Sequence, residues 1–184
     1  GLYEKVEDII EGNKEVKFHN NLVRYNFKLF PLDYSDIRID HLWESCKNNL
    51  GLAVVRDMGY LTWRYKDHPL FSYELWGLKK RFGRRLYGLA VLKKEEDRVL
   101  VMDFLSDRGM FGSLFHKLEN YVFTSGRKTM TLWAPPFMEE TLIENGFSIK
   151  PAGTSIPRTT HEKTLTKDQM EGKFFYTPGD TDFL

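Results

Sequence analysis

Cysteine is nearly absent from this sequence, since Cys46 is the only one in 184 residues. A single thiol excludes an internal disulfide framework and a zinc site built from several cysteines. The five histidines, at positions 19, 41, 68, 116 and 161, lack the spacing of a metal site. The sequence therefore excludes disulfide-bonded scaffolds and gives no indication of a metal centre. A lone, buried thiol is compatible with a cytoplasmic location, which we expect.

Long apolar runs and an excess of one charge are absent as well. No segment approaches the roughly 20 apolar residues that a transmembrane helix needs. The formal net charge is only +1, so the chain as a whole has no electrostatic attraction to polyanions. We therefore expect neither a membrane nor nucleic acid as a partner.

What remains is the composition of an ordinary globular chain. Hydrophobic residues make up 41% of the sequence and aromatic residues 15%, which argues against disorder. The length is sufficient for one full core. We expect a single domain over residues 21–184, preceded by a linker over residues 1–20. Within that linker, Val6, Ile9 and Ile10 would share one face of a short helix over Tyr3–Glu11.

The stretch Val99–Thr124 carries the clearest pattern. The apolar run Val99–Met102 predicts a strand that is covered on both faces. A glycine-bearing loop follows, and then apolar residues recur at helical spacing from Leu114 to Val122. The first N–H groups of such a helix are unpaired, so the loop is a candidate anion site.

The other patterns predict a mixed sheet. Alternation predicts a strand over Leu22–Leu29 and a hairpin from Tyr73–Lys79 and Leu86–Leu92. Further predicted elements are helices over Ile39–Cys46, Gly59–Lys66 and Phe137–Glu144, strands over Thr129–Trp133, Phe147–Ile149 and Phe174–Tyr176, and a loop over Pro151–Asp168. The predicted fold class is α/β, a central mixed sheet with helices on both faces. Two strand–helix–strand crossovers between residues 99 and 149 imply locally parallel pairing.

This order of elements resembles the GNAT (GCN5-related N-acetyltransferase) superfamily, as does the helix that ends in Glu144-Asn145-Gly146-Phe147. A second block is similar to a bacterial subgroup in which two GNAT-like halves lie in one chain. The block comprises Arg56-Asp57, Tyr60-Leu61-Thr62-Trp63-Arg64-Tyr65 and His68-Pro69. It resembles the second half of that subgroup, as does the ending Thr177–Asp182.

The resemblance implies a GNAT acyl-CoA N-acyltransferase-like fold and acetyl transfer from acetyl-CoA to a small-molecule or peptide amine. It implies that backbone N–H groups near Phe104 and Leu105 polarise the thioester carbonyl. It also implies that Arg108, Gly109, Gly112 and Ser113 cradle the diphosphate. Asp103 interrupts an apolar strand, and we predict either a general base or cleft-facing group there, or a carboxylate that is paired with an arginine or faces solvent.

The loop between residues 108 and 113 also supports an alternative hypothesis. Its glycines lie out of register with the family's Gln/Arg-x-x-Gly-x-Gly/Ala pattern, and Met110 and Phe111 are bulky where the diphosphate would approach. The alternative is a non-catalytic GNAT-like module that supports a partner domain, such as a preceding GNAT-like domain, or a homodimer. Aminoacyl transfer of the Fem type is a further enzymatic alternative, and it would require a tRNA groove.

The basic segment Lys79–Arg85 also has two interpretations. It could contact nucleic acid or an anionic surface. We favour the simpler one, a charged turn that protects a sheet edge. Trp63, Arg64 and Tyr65 could line an acceptor pocket, but we favour core packing, with Arg64 bound to a carboxylate.

Overall fold

A seven-stranded mixed sheet forms the centre of the molecule. The computed structural model describes residues 1–6, 26–150 and 173–181. The sheet strands are β1 (Leu2–Val6), β2 (Phe27–Pro31), β4 (Glu74–Lys80), β5 (Leu86–Lys94), β6 (Arg98–Ser106), β7 (Thr129–Trp133) and β8 (Ser148–Lys150). Their order is β2-β4-β5-β6-β7-β1-β8, and only the β6–β7 pair is parallel. Two short strands, β3 (Leu52–Ala53) and β9 (Phe174–Phe175), pair in parallel as a separate small sheet.

Helices lie on both faces of this sheet. They are α1 (Arg38–Cys46), α2 (Met58–Leu61), α3 (Phe111–Thr124) and α4 (Glu139–Glu144); α2 continues as a π-helix over Thr62–Lys66, and a 3-10 turn precedes α4. On β6, Phe104 contacts Phe115 of α3. The neighbouring Asp103 points to the opposite face, as strand alternation requires, and contacts Tyr65 of the π-helix. None of the helices in the described ranges is long and apolar enough to cross a bilayer.

Most of the predicted elements are confirmed. The strand–loop–helix stretch is β6 followed by α3, and β6 extends to Ser106 because its residues from Val99 onward are buried. The hairpin is formed by β4 and β5, and β7 has the predicted bounds. β2 runs from Phe27 to Pro31, and residues 22–25 of its predicted range lie outside the described residues, as does the predicted loop over 151–168.

The predicted helix at the N-terminus is wrong at its start. Leu2–Val6 is strand β1, which pairs antiparallel with β7 on one side and with β8 on the other. Residues 7–11 of the predicted helix lie outside the described residues. The predicted direct pairing of the strands in the second crossover is also wrong: β7 and β8 run parallel, but β1 lies between them and pairs antiparallel with both. Tyr3 is fully buried in this position, and Lys5 forms an ion pair with Glu119 of α3.

Candidate functional site

The strands β6 and β7 separate halfway along β6. Their pairing runs from Arg98 opposite Thr129 to Val101 opposite Leu132, and β6 then continues to Ser106 without β7. The separation begins beside a β-bulge, since Val91 of β5 pairs with Asp103 and Leu92 with Val101, which leaves Met102 unpaired. Bulges bend a strand and change the aim of its side chains, and they recur beside functional sites. This gap in the sheet is the place where the resemblance positions an acyl-CoA.

Asp103, the predicted base, lies directly after the bulge and is fully buried. Its Oδ1 accepts from Arg56 Nε at 2.7 Å and from the Phe104 backbone N–H at 2.9 Å. Its Oδ2 accepts from the Tyr65 hydroxyl at 3.0 Å. Burial raises the pKa of the Asp103 carboxyl, and the Arg56 charge opposes that change. Of the predicted alternatives for Asp103, the structure therefore shows the carboxylate paired with an arginine.

Arg56 joins Asp103 to the C-terminal segment. Its guanidinium is fully buried and also donates to Asp180 Oδ2 at 2.5 Å, to Thr177 Oγ1 at 3.2 Å and to the Val54 carbonyl at 2.8 Å. Burial alone would lower the pKa of Arg56, but the two carboxylates outweigh it and keep the pKa above its ordinary value. We call Arg56, Asp103, Asp180, Thr177 and Tyr65 the Arg56 cluster.

Only Asp103 of the Arg56 cluster was predicted as a site residue. Arg56 follows the short apolar run Leu52–Val55, and an arginine there is a signal for a buried ion pair. Thr177 and Asp180 have the spacing of a capping box, and both of its hydrogen bonds are present around the 3-10 turn Pro178–Asp180. The pairing itself links residues more than 120 positions apart, so no local pattern could reveal it.

The aromatic ring of Phe175 lies in the gap between β6 and β7. Its centroid is 5.4 Å from the ring of Phe104 on β6 and 6.5 Å from the ring of Phe137, which follows β7. Phe104 faces α3, whereas Arg56 belongs to the opposite face, and the Arg56 guanidinium lies 5.0 Å from the same Phe175 ring. A ring that contacts both faces of a sheet passes between its strands. Phe175 is fully buried there.

The segment that follows Phe175 packs against β6 and the π-helix. Gly179 is buried, and a Cβ at this position would lie 1.7 Å from the Tyr65 hydroxyl oxygen and 3.1 Å from the Met102 carbonyl oxygen. Arg64 donates to the carbonyl oxygens of Gly179 and Thr181. Only glycine permits this close approach, and the contacts hold the segment against β6.

The predicted thioester groups are enclosed by these contacts. Phe104 and Leu105 are fully buried. The Phe104 N–H already donates to Asp103, and its ring packs edge-on against Phe111 and Phe115 of α3.

The predicted diphosphate residues fall into two groups. Arg108 and Gly109 lie in an exposed loop, where Gly109 has a φ of +78°. Gly112 and Ser113 lie in the first turn of α3, and a Cβ on Gly112 would lie 3.3 Å from Asn145 Nδ2. Arg108 lines a cleft with Lys80, Arg85 and Tyr87, on the β5 side of the loop.

The Trp63–Tyr65 block is only partly in the core. Tyr65 is buried as expected, but Trp63 is 67% exposed, so the prediction of core packing is wrong for that residue. Cys46 is buried, and burial raises the pKa of its thiol to about 12, which makes it unreactive at neutral pH. The described residues contain no group of three His, Cys, Asp or Glu side chains that could hold a metal ion.

No protein-family model and no curated protein matches the sequence. Among solved structures, a conserved protein of unknown function from Enterococcus faecalis V583, described as a probable N-acyltransferase, is 11% identical with a TM-score of 0.52. The match covers 81% of this chain and 36% of that one. A GCN5-related N-acetyltransferase from Anabaena variabilis is 11% identical, covers 71% of this chain and 31% of its own, and has a TM-score of 0.49.

Glucosamine-6-phosphate N-acetyltransferase from Arabidopsis thaliana is 13% identical over 73% of this chain and 97% of its own, with a TM-score of 0.46. The chain thus spans about a third of the length of the first two proteins. Identities this low show the fold alone. The Enterococcus match, together with the mixed sheet and the parallel β6–β7 crossover, shows that this chain has the GNAT acyl-CoA N-acyltransferase-like fold.

Proposed function

We propose that this chain is a non-catalytic module of the GNAT fold, whose own C-terminal residues occupy the place that an acyl-CoA would take. The observation that carries the proposal is the Phe175 ring between Phe104 and Phe137 in the gap of the sheet. The residues around the gap form a packed aromatic and ionic core, so they do not fit an acyl-CoA. The role of the module is then to bind and support a partner domain or a second copy.

The surroundings of Asp103 support the same proposal. A general base must be within hydrogen-bond reach of the amine that it deprotonates. Asp103 is fully buried, and its two oxygens already accept three hydrogen bonds. We infer that the role of Asp103 is structural: through Arg56 it holds the C-terminal segment in place.

The start of α3 also supports the proposal of a non-catalytic module. A diphosphate cradle needs backbone N–H groups that a ligand can approach closely. Here Phe111 is the first residue of α3, and its ring packs against Phe104 and Phe115. Gly112, one of the four predicted cradle residues, lies close to the Asn145 side chain.

One observation favours a second candidate, an acetyl-CoA-dependent N-acetyltransferase that acts on an amine. The bulge at Met102 and the early end of the β6–β7 pairing leave the β6 backbone from residue 102 to residue 106 without a β7 partner. Phe104, Leu105 and the loop Arg108–Ser113 would be the residues that contact the co-substrate. This activity would require residues 173–181 to leave the gap.

Thermal unfolding with and without acetyl-CoA tests the two candidates. A ligand at about 100 times its Kd stabilises a protein by about 2.7 kcal/mol. For a domain of this size that is a rise in Tm of about 5 to 10 °C. The non-catalytic module predicts no rise at millimolar acetyl-CoA.

The nucleotide part of coenzyme A alone is the matched control ligand. If this nucleotide raises the Tm as much as acetyl-CoA does, the rise is due to phosphate groups that bind surface cations, and the proposal stands. A rise specific to acetyl-CoA, accompanied by acetylation of an amine, would overturn the proposal in favour of the enzyme.

A further inference from the structure

The turn between β4 and β5 carries a dense group of cations around one exposed aromatic ring. We call Lys79, Lys80, Arg81, Phe82, Arg84 and Arg85 the basic tip. Phe82 is 95% exposed, the most exposed of the large apolar side chains in the described ranges. Among residues 1–6, 26–150 and 173–181, no carboxylate pairs with the Arg81 or Arg84 side chain and no aromatic ring packs on Phe82. An apolar ring in this position does not contribute to the core.

The interpretation of the basic tip as protection of a sheet edge is wrong. β4 lies between β2 and β5, so the turn joins two interior strands. Lys79 of β4 lies directly opposite Lys28 of β2. Like charges in directly opposed positions destabilise a sheet. Lys79 Nζ does lie 5.0 Å from the Phe30 ring, but the Lys28–Lys79 pairing itself opposes the fold, and this concentration of cations points to a role in binding.

The positive surface extends beyond the turn. Two clefts flank Arg85: one is lined by Lys80 and Arg108, and the other by Arg38 and Arg84. Asp107, the carboxylate that lines the first cleft, is paired with Arg85, and Arg38 of the second cleft is paired with Asp36. Nearby, Lys117 of α3 has its pKa lowered by burial and by the charge of Arg81. An overall charge of +1 therefore conceals a strongly positive end of the molecule.

We propose that the basic tip docks on an anionic phospholipid bilayer, with the Phe82 ring in the interfacial region and the surrounding cations on lipid phosphates. A ring at the apex of a convex turn suits a soft interface, and each Lys or Arg near an anionic membrane contributes about a fivefold gain in binding. Single-stranded nucleic acid favours several aromatic rings along a groove. Here the next ring, Tyr87, is already covered by Lys80 and Arg85. The proposal does not depend on the proposed function.

Cosedimentation of the 184-residue chain with vesicles tests this docking. We expect binding to vesicles of equal parts phosphatidylglycerol and phosphatidylcholine, and none to pure phosphatidylcholine. Phe82→Ala should weaken binding at least about tenfold, because a buried aromatic ring contributes more than 1.4 kcal/mol. Arg84→Gln should weaken it about fivefold, and Arg84→Glu further. Raised salt should release the protein.

Two variants outside the basic tip serve as controls. Leu70→Ala removes another exposed apolar side chain, and Lys128→Glu changes the net charge as much as Arg84→Glu does. Both should bind vesicles like the wild type. Equal losses in control and tip variants, equal binding to both vesicle types, or binding to single-stranded RNA without binding to anionic vesicles would each overturn the proposal. Unchanged Tm values of the tip variants exclude unfolding as the cause of a loss.

Discussion

Arg56 shares its one positive charge between two buried carboxylates, Asp103 and Asp180. The remaining negative charge needs further donors, and the Arg56 cluster supplies them. Tyr65 donates to Asp103, and the Thr177 N–H donates to Asp180 at 2.8 Å. A buried ion pair loses much of its Coulomb energy to desolvation, but removal of one partner leaves an uncompensated charge. The cluster therefore fixes the position of the C-terminal segment more than it adds to net stability.

We predict that Asp103→Asn lowers the free energy of unfolding by about 3–5 kcal/mol, the usual effect of breaking a buried pair from one side. Urea denaturation measures the change. The control is Lys47→Ala, which removes the exposed Lys47–Glu44 pair and should cost less than about 1 kcal/mol. Equal losses in the two variants would contradict the buried cluster.

For single residues, the sequence predicts whether a side chain is buried better than it predicts which residues that side chain contacts. The place of Asp103 within an apolar strand and the burial of Cys46 on the apolar face of its helix could both be predicted from the periodicity of the apolar residues. The aspartate's partners could not be predicted, because Arg56, Tyr65 and the C-terminal residues come together only through the tertiary fold. Trp63 shows the opposite error: an aromatic residue at helical spacing indicates a core position, but the π-helix turns this ring to solvent.

Among the elements, β1 could be predicted neither as a strand nor in its position between β7 and β8. Its five residues carry too short a pattern to separate strand from helix, and both of its partner strands lie more than 120 residues away. α3 is long enough for its apolar period to be unambiguous, and the β4–β5 hairpin is local, so both were predictable. An ion pair at 2.8 Å between Lys5 and Glu119 fastens β1 to α3.

That ion pair makes the attachment of β1 sensitive to acid. Burial raises the pKa of Glu119, but hydrogen bonds from His116 and Lys5 outweigh it and hold the pKa below its ordinary value. A lowered carboxyl pKa stabilises the fold above the unfolded value near 4.3, and the contribution disappears as the pH falls through the folded value. We predict that Glu119→Gln lowers the free energy of unfolding by about 1 kcal/mol at neutral pH. The difference from the wild type should shrink below about pH 4.

Urea denaturation across the pH range checks this dependence. Glu95→Gln is the control, because Glu95 pairs with Arg98 within a single turn and is not attached to β1. Its effect should be smaller than that of Glu119→Gln at neutral pH. A difference for Glu119→Gln that grows in acid would contradict the sign given above.

Across the whole molecule, stability is expected to be highest at the two central strands. Every residue of β6 from Val99 to Ser106 is buried, and β5 is buried from Leu89 to Leu92. β2 and β8 lie at the ends of the sheet and are more exposed. Amides that open only on global unfolding lie in such buried central elements.

We predict that backbone amides of Leu89–Leu92 and Val99–Leu105 exchange with deuterium most slowly, and those of β2 and β8 at least about tenfold faster. Mass spectrometry of peptic fragments measures the rates. Equal protection at β2 and β6 would show that the sheet opens as one unit and would contradict the prediction.

The position of β1 between β7 and β8 also governs the order in which the protein can assemble on the ribosome. β1 must wait for residues 129–133 and 148–150, which form its partners β7 and β8. β2, β4, β5 and β6 can pair with one another well before that time, because the contacts among them span shorter loops. The nascent chain thus carries β1 without these partners until residue 150 has been synthesised, and during that interval chaperone capture and pairing between neighbouring nascent chains compete with correct folding.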